Sequence, residues 1–206
     1  CSAMLVEPLE FAPNNGKGRG KGRANSSFLR GIVDRIFFTG EETGGRFSGT
    51  GGAEWALDVV NGDLWAVPAM GRGAWENITQ IDTSSRRTVA FILADDQSPY
   101  DADDDGKEEA APLYLYVGLK QKAGNFLERN GLADGTLYVW VADSGETTPE
   151  EWKGTFTYRP GKFVAIDHYR EDLAGNGDYD ELGFATQGFQ DFLAAEEGAF
   201  RFSRPE

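Results

Sequence analysis

The chain has 206 residues with 34 Asp and Glu against 20 Lys and Arg, a formal charge of −14, which argues against a nucleic-acid binder, since a phosphate backbone calls for clustered Lys and Arg. The length suffices to bury a core of one or two domains, and 14 Phe, 7 Tyr, 5 Trp and 27 Gly favour many strands joined by turns, a mainly β fold with a few short helices. The single cysteine excludes an internal disulfide, and no run approaches the ~18 apolar residues that cross a bilayer as a helix.

Cys1 has two readings, the acylated first residue of a bacterial lipoprotein or the arbitrary start of a fragment, and the second is the one preferred. Residues 12–27, APNNGKGRGKGRANSS, have no hydrophobic period and read as a flexible Gly/Lys/Arg-rich loop. A strand is expected over residues 33–39, stopping at Gly40-Glu41-Glu42, and a Gly-rich connection over 44–52 follows.

Two apolar runs, residues 55–60 and 63–67, flank Asn61-Gly62, the pair that best tolerates the positive φ angles of a two-residue type I′ hairpin turn. That turn predicts Val59 opposite Leu64 and Leu57 opposite Ala66, with Trp55, Leu57, Val59, Leu64 and Ala66 on one buried face. Residues 71–77, Gly-Arg-Gly-Ala-Trp-Glu-Asn, then read as a connection, and a third strand over 88–94 ends in Asp95-Asp96.

Asp101, Asp103, Asp105 and Gly106 match the first half of a calcium loop, in which alternating carboxylates face one ion, but position twelve is Pro112 rather than Glu. The segment is therefore a non-EF calcium loop or a solvated acidic turn. Residues 113–117 and 136–141 are continuous apolar runs that predict strands, with one short helical turn between them in 124–131. Thr148-Pro149-Glu150-Glu151 has the order of a capping box with Pro at the first helical position. A strand over 162–167, a turn at 175–178 and a helix within 186–196 complete the reading, with no sharp domain linker.

Glu41-Glu42, Glu76, Asp95-Asp96 and Glu206 all fall at or beyond the ends of expected strands. A radial arrangement of sheets, as in a β-propeller, brings such loops to a shared metal site, whereas in a simpler reading loops merely attract acids. The only histidine, His168, excludes a zinc site built from several His ligands, and no Gly-x-Ser-x-Gly elbow, Walker loop or dinucleotide fingerprint accompanies it. Oxygen ligands remain, and these suit hard cations such as calcium.

The order of motifs resembles the PhoX family of secreted bacterial alkaline phosphatases and related PhoX-like proteins. Thr39-Gly40-Glu41-Glu42-Thr43 is similar to that family's T-C-E-E-N, Glu54-Trp55-Ala56-Leu57-Asp58 to its G-W-V-V-E strand, and residues 71–76 to its G-R-F-x-H-E. Leu93-Ala94-Asp95-Asp96 looks like its G-D-D, Gly135-Thr136-Leu137-Tyr138-Val139 like its G-T-L-Y-V, and Arg204-Pro205-Glu206 like its R-P-E. The resemblance covers residues 32–206 and rests on the order of motifs, each of which is weak alone.

It implies a six-bladed propeller, of which residues 1–206 form part of one domain whose other blades, or other chains that replace them, are missing. It also implies an extracellular or periplasmic location. A phosphomonoester would be hydrolysed at a central site of calcium and iron, with Glu41, Glu42, Glu76, Asp95, Asp96 and Glu206 as metal ligands and Glu76 and Arg72 as catalytic residues. Gly40 and Trp75 stand where the family has a metal-bridging Cys and a His, so the oxygen ligands persist while the iron pair loses two donors. The alternative is a non-enzymatic extracellular calcium-binding propeller with a structural or assembly role.

Overall fold

The computed structural model describes residues 3–8, 10–11, 30–42, 51–95, 111–152, 154–155 and 157–202. The architecture is mainly β, with 38% strand against 16% helix, in antiparallel sheets of which none is closed. The segments 12–27 and 101–105, with Asp96 and Glu206, lie outside the described residues. Among the described residues, no helix is long and apolar enough to cross a membrane.

The first sheet contains β1 (Ala3–Val6), β2 (Ile36–Gly40), β3 (Glu54–Asp58) and β4 (Leu64–Ala66), hydrogen-bonded in sequence order. The second contains β5 (Trp75–Ile81), β6 (Thr88–Asp95), β8 (Tyr114–Leu119), β9 (Gly135–Ala142) and β10 (Gly161–Ile166), again each beside its predecessor in the sheet. A short pair outside both sheets joins β7 (Ala111–Pro112) to β11 (Arg201–Phe202). The connection expected at residues 71–77 thus contains the start of a strand. In β5, Ile78 and Gln80 are buried while Asn77, Thr79 and Ile81 are exposed, an alternation that marks a half-buried strand.

The core lies between the inner faces of the two sheets. Ile36, Phe38 and Ala56 meet Phe91, Leu93, Tyr116, Leu137 and Val139, with the Phe38 and Phe91 rings 5.1 Å apart. β1 and β2 pack against β5. The short helix α1 (Phe126–Asn130) forms where the sequence places it, closed by a reciprocal capping box between Asn125 and Glu128 and stopped by Gly131 in the left-handed conformation. Its Phe126 stacks on Trp65 of β4, which ties the edge of the first sheet to the core.

At the second capping-box sequence, Glu151 accepts hydrogen bonds from the backbone N–H groups of Thr147 and Thr148, but the Thr148 hydroxyl is buried without a partner. A short 3-10 turn, Pro149–Trp152, results. The longer helix α2 (Gln187–Glu196) buries Gln190 and Ala194.

The hairpin β3–β4 exists but differs from expectation in turn and in face. Asp58 pairs with Asp63 across a four-residue loop, residues 59–62, in which Gly62 (φ 80) has positive φ and Asn61 does not. The Asp58 carboxylate decides this, accepting the N–H groups of Val60 (3.0 Å) and Asn61 (3.2 Å) and the Asn61 amide (2.7 Å). The register moves by two, to Leu57 opposite Leu64 and Trp55 opposite Ala66. A shift of two keeps those side chains on one face, yet that face is the outer one, with Leu64 58% exposed, while Glu54, Ala56 and Asp58 point inward.

Candidate functional site

Four strand ends meet where the two sheets cross. Gly40, the last residue of β2, is paired with Glu54, the first of β3. Trp75, the first of β5, is paired with Asp95, the last of β6. A β-bulge between Trp75 and Asn77 leaves Glu76 as the extra residue at that end. The two pairs touch through Gly40: a Cβ there would lie 2.6 Å from the Cβ of Trp75 and closer still to its carbonyl oxygen. Only glycine lets the backbones approach this closely.

The loops beside these ends are held by their own acids. Glu41 turns back on its strand, its N–H donating to the Ala53 carbonyl (3.0 Å) and its carboxylate accepting from the Ala53 N–H (2.9 Å). Asp95 accepts from the Ala74 N–H (2.7 Å) and from the Gln187 amide (3.3 Å). The Gly73 N–H reaches the Gly52 carbonyl at 3.2 Å, so the connections before β3 and before β5 are joined directly. A Cβ on Gly73 would stand 2.7 Å from the Asp95 Oδ2 and 3.2 Å from the Trp75 ring, which places that carboxylate and the indole side by side.

Arg72 lies between two glycines but is directed into the protein. Its guanidinium pairs with Asp180 at 2.7 Å, with the two side chains 13% and 7% exposed. The amide of Gln190, itself fully buried, brackets the Arg72 backbone, accepting from its N–H and donating to its carbonyl at 2.8 Å each. Asp180 in turn accepts the N–H groups of Leu182 and Phe184, so the loop before α2 and the loop before β5 form one unit.

Glu54 is the electrostatic outlier. It is 1% exposed, its Oε1 has no hydrogen-bond partner, and burial pushes its carboxyl up to about 8. Burial also pushes the Asp58 carboxyl up, but the Asn61 and Val60 hydrogen bonds, aided by Arg129, outweigh this and hold it below the usual carboxylate range. His168 is buried against the Ala69 carbonyl (2.9 Å), and desolvation lowers its basicity, the signature of a structural histidine.

The structure therefore places Glu41, Glu76 and Asp95 at adjoining strand ends, with Glu42 following Glu41, and adds Glu54 opposite Gly40, Gln187 bonded to Asp95 and Gln190 bonded to the Arg72 backbone, which sequence reasoning did not select. Asp96, Asp101, Asp103, Asp105 and Glu206 fall outside the described residues. Among the described residues, no three His, Cys, Asp or Glu side chains stand close enough together to hold a metal ion. The signal for Glu54 was its alternation with Ala56 and Asp58, opposite a strand that ends in Gly40. No family model, no curated protein and no solved structure matches the chain.

Proposed function

We propose that the chain is part of a PhoX-like β-propeller, a secreted metal-dependent phosphomonoesterase that uses carboxylate-bound calcium. The observation that carries this reading is the contact between Gly40 and Trp75. These are the two positions where the chain departs from the family's Cys and His, and ligands of one metal centre must be neighbours in space. The acids Glu41, Glu76 and Asp95 adjoin that contact along their strands, although no three acidic side chains among the described residues stand close enough to share an ion. The first sheet is a four-stranded antiparallel meander, the form of a propeller blade, the second is a meander of five strands, and they meet through β1, β2 and β5.

The donor types suit a hard cation, since every candidate ligand offers carboxylate oxygen, but those among the described residues are not gathered closely enough to hold one. Gly40 and Trp75 bring no donor side chain, so calcium fits better than iron. When bound, the cation supplies positive charge to a phosphoryl oxygen and to the attacking water. In this reading Glu41, Glu42, Glu76 and Asp95, with Asp96 and Glu206, would be its ligands and Glu76 would orient the water, while Arg72 fixes the Gly71–Gly73 loop against Asp180 and Gln190. Asp101, Asp103 and Asp105, which lie outside the described residues, would serve a separate calcium loop in this reading.

The close filling of the Gly40–Trp75 contact also favours a second reading, a calcium-binding propeller without activity. Metal content and hydrolysis of p-nitrophenyl phosphate, measured on one preparation of the full-length protein and of Glu76→Gln, decide between them. Loss of calcium and activity together supports the enzyme. Calcium with no hydrolysis in the wild type supports the structural reading, and absence of metal in the native protein removes both.

A further inference from the structure

The two outer strands of the second sheet differ in what lies beside them. β5 packs against β1 and β2, whereas β10 has β9 on one side only. The Asp143 N–H donates to the Pro160 carbonyl at 3.0 Å, and this bond sets the phase of the ladder. Lys162, Val164 and Ile166 direct their main-chain groups to β9, while Gly161, Phe163 and Ala165 direct theirs away from it. Among the described residues, no protein group engages the N–H or C=O of those three. Gly161 and Ala165 are exposed and Phe163 is half-buried.

An edge of this kind accepts a further strand, and its register points to a second copy of this chain. The outward groups are spaced symmetrically about Phe163. Two β10 strands running antiparallel about a twofold axis at that residue set Phe163 against Phe163 and Gly161 against Ala165 in both directions, three pairs that each exchange two hydrogen bonds. An axis at Lys162 sets the two lysines against each other, and an axis at Val164 keeps only two such pairs within the strands.

The side chains agree with the Phe163 axis. Phe163 is paired with Trp140 of β9, whose ring meets Trp152, Phe200 and Phe202, so joining two Phe163 rings continues one aromatic row across both sheets. Carried past the strand, the same register sets Arg159 opposite Asp167 of the second copy, a cation facing a carboxylate that is 57% exposed. Residues 159–166 include Arg159 and Lys162 and no acid, so two copies can approach here despite a charge of −14 on each.

We propose that the chain forms a twofold dimer by antiparallel pairing of β10 with β10 of a second copy, which joins the two five-stranded sheets into one. The pairing is independent of the metal-binding reading above.

Sedimentation velocity of the full-length protein over a range of concentrations reads the association, and hydrogen exchange reads the edge amides. The wild type is expected to dimerise as concentration rises, with exchange at Phe163 and Ala165 slowing in step. Ala165→Pro removes an outward N–H and keeps the bonds to β9, so it is expected to weaken the dimer by about tenfold or more, with circular dichroism confirming the fold. Arg159→Glu and Asp167→Lys each set like charges opposite one another and are expected to weaken self-association. An equimolar mixture of these two variants is expected to regain the dimer, because each chain then meets the opposite charge. The mixture decides the matter if Ala165→Pro does not fold, and no recovery in it overturns the pairing. A wild type that stays monomeric at every concentration also overturns it, whether or not another strand protects its edge amides. A dimer that Ala165→Pro and the charge variants leave unchanged overturns it as well, since the copies then meet elsewhere.

Discussion

Gly40 and Trp75 hold the two sheets together at main-chain distance: the space for a side chain on residue 40 is already filled by the carbonyl and Cβ of residue 75. The obstacle is backbone and cannot rotate away. Gly40→Ala is expected to destabilise the protein by about 1–3 kcal/mol, the usual cost of overpacking. Trimming the indole with Trp75→Phe should not rescue it, because the ring is not what a Cβ at position 40 meets. A melting temperature for Gly40→Ala equal to that of the wild type would refute the close approach.

Asp58 organises the β3–β4 loop. Asp58→Ala leaves the N–H groups of Val60 and Asn61 without their acceptor and removes a charge 3.7 Å from Arg129. A loss of about 1–3 kcal/mol in urea denaturation is expected, as for removal of one partner from buried hydrogen bonds. Asn61→Ala should cost less, because only the side-chain contact is lost.

The Arg72–Asp180 pair joins two loops in a nearly dry setting. Removing one partner strands the other charge, so Asp180→Asn and Arg72→Met should each cost about 3–5 kcal/mol. The double variant is expected to lose much less than the sum, and the coupling measured in that cycle tests the bond itself. Additive losses would show that Arg72 is free for another task.

His168 makes stability depend on pH in one direction. Its folded form is held neutral below the ordinary 6.5 because burial disfavours the imidazolium. The unfolded chain takes up a proton as pH falls through 6.5 while the native protein resists. Stability from this group is therefore complete above about 6.5 and declines as the medium becomes more acidic, down to the lowered folded value. Comparing His168→Gln with the wild type at pH 7.5 and 5.5 isolates the effect: the wild type should lose more stability over that interval. An equal loss in both would contradict a buried neutral imidazole.

Features specified by short-range chemistry were legible in the sequence. The apolar runs of β6, β8 and β9 announced strands, and α1 was marked by its Gly-bounded segment, because turn and cap hydrogen bonds lie within a few residues of one another. The existence of the β3–β4 hairpin was likewise readable, as were the acids Glu41, Glu76 and Asp95 at strand ends. The tertiary structure alone decided which face of β3 turns inward. Alternation defines two faces but does not name the one another sheet will cover, and here the more polar face, with Glu54 and Asp58, met the core while Leu64 stayed outside. β5 escaped notice because its half-buried pattern emerges only beside β1 and β2. The close approach of Gly40 to Trp75 and the pairing of Arg72 with Asp180 were equally hidden, since long-range contacts depend on how sheets pack and not on the residues between them.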